Sequence, residues 1–249
     1  MKYKLEVIAF NIESCIAAQR SGADRIELCD NPGEGGTTPS YSFIKAARKV
    51  LQIDLFVMIR PRGGDFQYSE EDFSIMKNDI VVCKELGADG IVFGILTKEG
   101  KVDIKKCKEL LDLAYPMYCT FHRAFDRVAD PFRSLEDLID LGFERILTSG
   151  LQPKALDGAD TITSLIRQSA GRIIIMPGSG ISSENILEVA GITGALEFHS
   201  SSRKISSKES YMNPFMNEVL QYTTINEEEV EKIAGKIKNM EGNALSSEY

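Results

Sequence analysis

The segment from Pro116 to Asp126, PMYCTFHRAFD, contains the pattern that decides the fold. Tyr118, Thr120 and His122 occupy alternate positions, as do the residues on one face of a pleated strand. The apolar stretch then leads directly into polar residues and a loop, which is where an α/β barrel carries its chemistry. We therefore predict a strand that ends in a functional site.

Seven other apolar segments resemble this one and alternate with segments of helical periodicity. Two helix-to-strand junctions have similar sequences, SGADRIELC at 21–29 and LGADGIVFG at 86–94. Such alternation predicts a parallel sheet with right-handed crossovers, and eight units are the number in a closed (β/α)8 TIM barrel. A doubly wound open sheet is the alternative, because periodicity alone does not establish closure.

The same periodicity predicts one domain over 1–249. The barrel is expected at about 4–204, and helices at 213–222 and 226–240 are expected to pack outside it. The polar tail, 241–249, is expected to be frayed. Helix starts are predicted at Asn11, at Ser40 and at Ser69, where Asp72 completes a capping box.

Composition narrows the possible functions of the 249-residue chain. A hydrophobic fraction of 43% is enough for a substantial core, and the net charge of -8 argues against nucleic acid or an anionic membrane as a partner. The first ten residues lack the apolar length and cleavage site of a signal peptide. Five cysteines without a CxxC pair are typical of reduced thiols, so we expect a cytoplasmic protein.

The chain has two histidines, His122 and His199, and each closes a short apolar run. The carboxyl ends of all strands in a barrel meet at one mouth, so the polar groups there should converge. Glu27, His122, Asp126 and His199 are the predicted general acid–base residues. Others expected at the mouth are Cys29, Asp30, Arg60, Arg62, Arg123, Thr148, Ser149 and Glu197, with Glu6 deeper. The alternative to a functional role is a structural one, in which arginines inside the barrel neutralise Glu6 and Glu27.

Several of these residues predict a small anionic ligand. Arg60 and Arg62 share a strand face, and cationic groups at a barrel mouth suit a carboxylate or phosphate. The turn PGSGI at 177–181 contains Gly178 and Gly180, whose backbone N–H groups can face an anion. The remaining predicted ligand-binding residues are Asp65, Arg123 and Ser149.

Several segments resemble, in order, those of the CutC family of copper homeostasis proteins. They are GADRIELC, GGTTPS, MIRPRGGDFQY, GADGIVFG, TFHRAFD, ILTSG, IMPGSGI and EFH. The resemblance implies a TIM-type barrel, a cytoplasmic location, homo-oligomers (a dimer or tetramer) and a copper-related role. It also implies that the characteristic polar residues are Glu27, Arg60, Arg62, Asp65, His122, Arg123, Asp126 and His199.

The copper role and the residues themselves leave two hypotheses open. Cytoplasmic copper is Cu(I), which prefers clustered sulfur ligands, and Cys29 is the only cysteine expected at the mouth. A mixed site of Cys29, His122 and His199 is conceivable, but the predicted mouth suits an anion better. The first hypothesis is therefore a cytoplasmic copper-binding protein. The second is a barrel enzyme that acts on a small phosphorylated or carboxylated metabolite.

Overall fold

The computed structural model describes residues 3–206, 215 and 220–246, with side chains as far as 240. Eight parallel strands form one sheet in the order β7-β6-β5-β4-β3-β2-β1-β8. β1 pairs with both β2 and β8, which brings the last strand back to the first. The strands are β1 Lys4–Ala9, β2 Arg25–Leu28, β3 Asp54–Met58, β4 Gly90–Phe93, β5 Tyr118–Phe121, β6 Arg145–Thr148, β7 Ile174–Pro177 and β8 Glu197–Ser200.

This strand order is that of a TIM barrel, so the predicted fold is confirmed and the open doubly wound sheet is not. β7 and β8 lie next to each other without ladder pairing, and they form the seam of the barrel. At the seam a Cβ added to Gly178 would lie 3.2 Å from the Cβ of His199. The absence of a side chain at Gly178 therefore lets the ends of β7 and β8 approach each other.

Helices surround the strands, and their starts follow the local capping chemistry. Asn11 and Ser40 each accept a hydrogen bond from a backbone N–H three residues on. Ser69 and Asp72 form the predicted capping box. The helices are α1 Ile12–Arg20, α2 Tyr41–Val50, α3 Glu70–Glu85, α4 Ile104–Ala114, α5 Pro131–Leu141, α6 Ala159–Ser169, α7 Ile186–Thr193 and α8 Glu227–Ser246.

The last helix completes the outer ring of the barrel. α8 contacts α7 on one side and α1 on the other, and it buries Val230, Ile233 and Ile237. It is the helix predicted at 226–240, and it continues to Ser246 where fraying was expected. Residues 247–249 and most of the helix predicted at 213–222 lie outside the described residues.

A short antiparallel ribbon joins the barrel to α8. Its strands are β9 Arg203–Ile205 and β10 Thr223–Ile225. The side-chain amide of Asn11 donates to the backbone oxygen of Thr223, which fastens the ribbon to the start of α1. Among the described residues, no helix has the length and apolar character needed to cross a bilayer.

Candidate functional site at the barrel mouth

The interior of the barrel holds a chain of buried ion pairs. Arg25 donates from Nε to Glu6 at 2.5 Å and from Nη2 to Glu197 at 2.7 Å. Arg145 donates to the same carboxylate of Glu197, also at 2.7 Å. Both guanidinium groups lie over the ring of Phe56, at 4.8 and 5.4 Å from its centre. Each buried charge therefore has an opposite charge within hydrogen-bond distance, which offsets the cost of removing it from water.

Next to this chain, at the carboxyl ends of the strands, a histidine lies between two carboxylates. The β1–β8 register sets His199 opposite Glu6, and Nδ1 of the imidazole lies 2.7 Å from Oε1 of Glu6. The other ring nitrogen, Nε2, lies 4.0 Å from Oε2 of Glu27. Among the described residues, Glu6, Glu27 and His199 are the group of three side chains able to hold a metal ion, with ligand atoms within 4.8 Å of one another.

Burial and neighbouring charge shift the pKa values in this cluster in different directions. Burial alone would raise the pKa of Glu6, but Arg25 and then His199 outweigh it and lower that pKa. Glu27 has no arginine within hydrogen-bond distance, so burial raises its pKa despite the charge of His199. Burial would lower the pKa of His199, but Glu27 and Glu6 reverse the direction and raise it. The two carboxylates therefore stabilise the imidazolium form of His199 relative to an isolated histidine.

The cluster opens into a cavity of about 370 Å³, which we call the mouth cavity. Three arginines and two glutamates line it, although the whole chain is acidic. The lining residues are Ile8, Glu27, Glu34, Gly35, Met58, Arg60, Gly64, Phe66, His122, Arg123, Arg127, Leu147 and His199. The structure thus brings Glu27, His122, His199, Arg60 and Arg123 from the predicted set to one cavity.

His122 is buried on the opposite part of the wall. The backbone N–H of Ala124 donates to its Nδ1 at 3.2 Å, and its ring packs against Phe66 with centroids 4.9 Å apart. Burial, and then the charge of Arg60, lowers its pKa to about 3, so the ring is neutral. Since Nδ1 accepts a hydrogen bond, the proton of the neutral ring is on Nε2.

The two arginines that were expected to bind an anion together are separated. Arg60 lines the mouth cavity, but its terminal nitrogens donate to the backbone oxygens of Glu34, Gly36 and Gly64. Arg62 does not line the cavity. Its side chain is 40% exposed, and its guanidinium pairs with Asp65 and with Asp72 in the first turn of α3. The predicted ligand residues Arg62 and Asp65 thus bond to each other away from the mouth.

Asp126 and Ser149 connect two loops instead of lining the cavity. Asp126 accepts hydrogen bonds from the hydroxyls of Thr148 and Ser149 and from the backbone N–H of Ser149. It also pairs with Arg123 at 2.7 Å, and Arg123 reaches Ser149 at 2.8 Å. With every oxygen engaged, Asp126 holds the loop after β5 against the loop after β6 and orients Arg123.

Residues in and just after the turn that follows β7 form hydrogen bonds with other groups of the protein. The N–H of Gly178 donates to the backbone oxygen of Thr148. Gly180 has a φ of +73°, which favours glycine, and the turn then leads to Ser183. The N–H and hydroxyl of Ser183 both donate to the carboxylate of Glu229 on α8, at 2.5 and 2.8 Å. The carboxylate of Glu229 thus takes the hydrogen bonds of Ser183, two residues beyond the 177–181 turn in which a phosphate was expected.

Cys29 is fully buried behind the cavity wall. Its Sγ lies 3.7 Å from Oε2 of Glu27, and it packs with Phe56 and Met58. Burial, and then the carboxylate of Glu27, raises the pKa of the thiol well above its usual value. Cys29 and His122 are not part of the metal-capable group found among the described residues.

Sequence reasoning missed three arginines that shape the site. Arg25 and Arg145 lie at the starts of β2 and β6, whereas the residues predicted at the mouth were those near the carboxyl ends of strands. A charged residue inside an otherwise apolar strand is the signal that would have found them. Arg127 lies on the short helical segment after β5 and lines the mouth cavity. Glu197 was expected at the mouth, but it lies at the start of β8 among the buried arginines.

Comparison with known proteins identifies the family. The model of the CutC family matches residues 3–204. The chain belongs to the CutC family. The copper homeostasis protein cutC homolog of Homo sapiens is 49% identical over 210 residues, which cover 84% of this chain and 76% of the human one. A CutC protein of Parabacteroides distasonis is 49% identical over 215 residues, which cover 86% and 88% of the two chains.

Solved structures agree with the CutC assignment. The crystal structure of CutC from Streptococcus agalactiae superposes with a TM-score of 0.77 at 36% identity, covering 80% of this chain and 98% of that one. Thiamine phosphate pyrophosphorylase from Pyrococcus furiosus superposes with a TM-score of 0.60 at 14% identity, over 95% and 96% of the two chains. The second likeness shows the shared barrel fold only.

Proposed function

We propose that this CutC-family protein contributes to copper homeostasis by binding a copper ion directly between His199 and Glu27. The observation that supports this is the 4.0 Å separation of His199 Nε2 from Glu27 Oε2. Transition-metal bonds to imidazole nitrogen and carboxylate oxygen are about 2.0 to 2.2 Å long, so an ion fits between these two atoms. The curated relatives' names supply the identity of the metal.

Glu6 supports the proposed site from the other side of the imidazole. A metal-binding histidine commonly donates its second ring N–H to a carboxylate, which fixes the tautomer. Nδ1 of His199 lies 2.7 Å from Oε1 of Glu6, so the Nδ1 proton belongs in this contact. Nε2 then carries the lone pair on the side of Glu27. Copper competes with a proton for Nε2 of His199, so the affinity rises with pH.

The donor atoms distinguish the two oxidation states of copper. One imidazole nitrogen and one carboxylate oxygen suit Cu(II), which binds such ligands more tightly than other divalent first-row ions. Cu(I) requires sulfur, and the Sγ of Cys29 lies 3.7 Å from the same Oε2 of Glu27. Using that thiol as a ligand requires removal of a proton that burial and Glu27 hold in place. We infer that Cu(II) fits the cluster better and that Cu(I) binding depends on Cys29.

The experiment is a competition titration with chelators specific for Cu(I) and for Cu(II). His199→Asn is expected to weaken copper binding by roughly 100-fold, because a direct ligand is lost. His122→Asn is the matched control, since the chain has two histidines and Nδ1 of His122 is engaged by Ala124. Cys29→Ser is expected to weaken binding of Cu(I) but not that of Cu(II).

Equal affinities of wild type and His199→Asn, or equal losses in the two histidine variants, would contradict the proposed site. Circular dichroism of each variant at the titration temperature checks that the fold is retained. If only Cys29→Ser lost copper affinity, the copper site would be assigned to the buried thiol of Cys29 instead.

We also propose a cytoplasmic location and homo-oligomeric assembly. The location is supported by five cysteines that are all free and buried, as is usual in a reducing compartment. Assembly into a dimer or tetramer is supported by the family resemblance.

A further inference from the structure

Unpartnered polar atoms are concentrated at the mouth cavity. Six buried side-chain nitrogen or oxygen atoms of the described residues have no hydrogen-bond partner. They belong to Ser21, Arg25, Glu27, Arg60, Tyr68 and His122, and three of these residues line the mouth cavity. Buried polar groups in folded proteins are nearly always satisfied, so a cluster of exceptions at one cavity points to a ligand.

His122 offers a hydrogen-bond donor without charge. The residue is 4% exposed, and its Nε2 has no hydrogen-bond partner among the described residues. The N–H of Ala124 fixes the tautomer by donating to Nδ1, so Nε2 presents N–H to the cavity. Glycine at position 94 leaves room for the ring, because a Cβ there would lie 2.7 Å from Nδ1. This N–H needs an oxygen acceptor.

Glu27 offers the complementary group. Its side chain is 2% exposed; Oε2 faces His199 and Cys29, whereas Oε1 has no partner. An unpaired carboxylate oxygen in a buried site is satisfied by a donor, and a ligand hydroxyl supplies one. The cavity therefore requires both an acceptor and a donor from its ligand.

The positive charge of the arginines at the rim of the mouth cavity indicates that the ligand carries a negative group. Arg127 lines the cavity, is exposed, and has no ion pair or side-chain hydrogen bond with any described residue. Arg123 also lines the cavity and is held in place by Asp126 and Ser149. The guanidinium groups can form paired hydrogen bonds with a carboxylate. A cavity of about 370 Å³ is of the size that holds small organic molecules.

We propose that the mouth cavity binds a small hydroxycarboxylate. Its carboxylate lies against Arg127 and Arg123 at the rim, and its hydroxyl reaches the interior. There an oxygen of the ligand accepts from Nε2–H of His122, and the hydroxyl proton is donated to Oε1 of Glu27. This ligand goes beyond copper binding and does not depend on it, because it uses Oε1 of Glu27 whereas the proposed copper site uses Oε2.

The test is calorimetric titration of the full chain, both as purified and after removal of metal by dialysis against EDTA. Two pairs of acids differ by a single hydroxyl, lactate against propionate and malate against succinate. At least one hydroxy acid is expected to bind about 10-fold more tightly than its partner, because one hydrogen bond in a buried site is worth roughly that much. Hydroxy acids that bind no better than the acids without the hydroxyl would overturn the proposal.

Two variants locate the binding. His122→Phe removes the N–H while keeping an aromatic ring beside Phe66, and it is expected to weaken binding of the hydroxy acid about 10-fold. Arg127→Gln is expected to weaken it about 3-fold, with a smaller effect in high salt. The control is Arg167→Gln, an exposed arginine on α6 that does not line the cavity. Unchanged affinity in His122→Phe, with the fold intact by circular dichroism, would overturn the assignment.

The same variants separate this ligand from copper. His199→Asn is expected to lose copper while retaining the hydroxy acid within about 3-fold, and His122→Phe is expected to show the reverse. Failure of copper to bind would leave the hydroxy-acid result intact. Loss of hydroxy-acid binding in both variants would show that the two sites are not independent and would overturn this assignment.

Discussion

The two histidines of this protein lie at comparable places in the barrel and have opposite environments. His122 follows β5 directly, and His199 is within β8, yet both are buried and both line the mouth cavity. His199 lies between two carboxylates, which raise its pKa. His122 lies among aromatic rings and near Arg60, and its pKa falls to about 3. The surroundings of His199 stabilise the cation, whereas His122 is neutral.

This difference shows that location at a strand end determines where a side chain lies in the barrel. It does not determine the charged groups around that side chain or its protonation state. The β8 side of the cavity contains negative groups and suits a cation once the imidazolium proton is displaced. The β5 side presents a neutral N–H and two arginines, which suit an oxygen-bearing anion. One cavity can therefore hold two kinds of ligand on its two sides, and the following predictions test that division.

The largest effect is expected from Arg25→Met, which removes the centre of the buried ion pairs on the β8 side. Glu6 and Glu197 would each lose a partner at 2.5 to 2.7 Å. Breaking a buried pair typically costs about 3 to 5 kcal/mol, because an uncompensated charge stays behind. Urea unfolding of the variant should show a loss of this size. Arg167→Met, on the surface of α6, is the control and should stay within about 0.5 kcal/mol of wild type.

An intermediate effect is expected from two glycines, each of which lies beside one histidine. A Cβ at Gly94 would lie 2.7 Å from Nδ1 of His122, and one at Gly178 would lie 2.4 Å from Leu147 and 3.2 Å from His199. Overpacking of this kind costs about 1 to 3 kcal/mol, so Gly94→Ala and Gly178→Ala should both lower stability. The imidazole NMR signal of His122 should move in Gly94→Ala and that of His199 in Gly178→Ala.

The control for the glycine pair is Gly191→Ala, a helical position with open space around an added Cβ. Alanine there should not destabilise the fold and should leave both imidazole signals in place. If Gly94→Ala moved both histidine signals equally, the two sides of the cavity would not be structurally separate.

The pH dependence of stability is expected to have opposite signs for the two histidines. His122 stays neutral in the fold, but in the unfolded chain it takes up a proton near pH 6.5. Its contribution is therefore lost as the pH falls below that value, by about 1.4 kcal/mol per pH unit down to about pH 3. His199 has a raised pKa, so its contribution is fully present below pH 6.5 and is lost as the pH rises through the folded pKa.

The measurement is chemical denaturation at several pH values for wild type, His122→Asn and His199→Asn. The stability difference between wild type and His122→Asn should shrink as the pH is lowered from 7 to 5. The difference for His199→Asn should grow over the same range. Slopes of the same sign for the two variants would contradict the assigned environments.

Sequence alone was sufficient for the order of strands and helices, because the signals for these elements are local, whereas closure of the barrel depends on the pairing of β1 with β8. The apolar runs mark the strands, and caps such as Ser69 with Asp72 mark the helix starts through contacts three residues apart. Strand ends then placed His122, His199 and Glu27 at one mouth, since every parallel strand ends on the same side. These inferences needed only the order of the elements.

The partners of the charged residues could not be predicted from the order of the elements. Arg62 was expected at the barrel mouth, but ion pairs with Asp65 and Asp72 hold it near the start of α3. Arg25 and Glu197 are 172 residues apart in sequence and meet because β1 lies between β2 and β8. Such pairings depend on rotamers and on strand register, which a pattern of residue types does not contain.

The contact of Glu229 with Ser183 has a consequence for the order in which the chain becomes complete during synthesis. The two residues are 46 positions apart, so the turn after β7 leaves the ribosome well before its acceptor does. α8 also supplies the apolar side chains that cover the outside of the barrel next to α1 and α7. A nascent chain that already contains all eight strands therefore still lacks the helix that covers the outside of the barrel between α7 and α1.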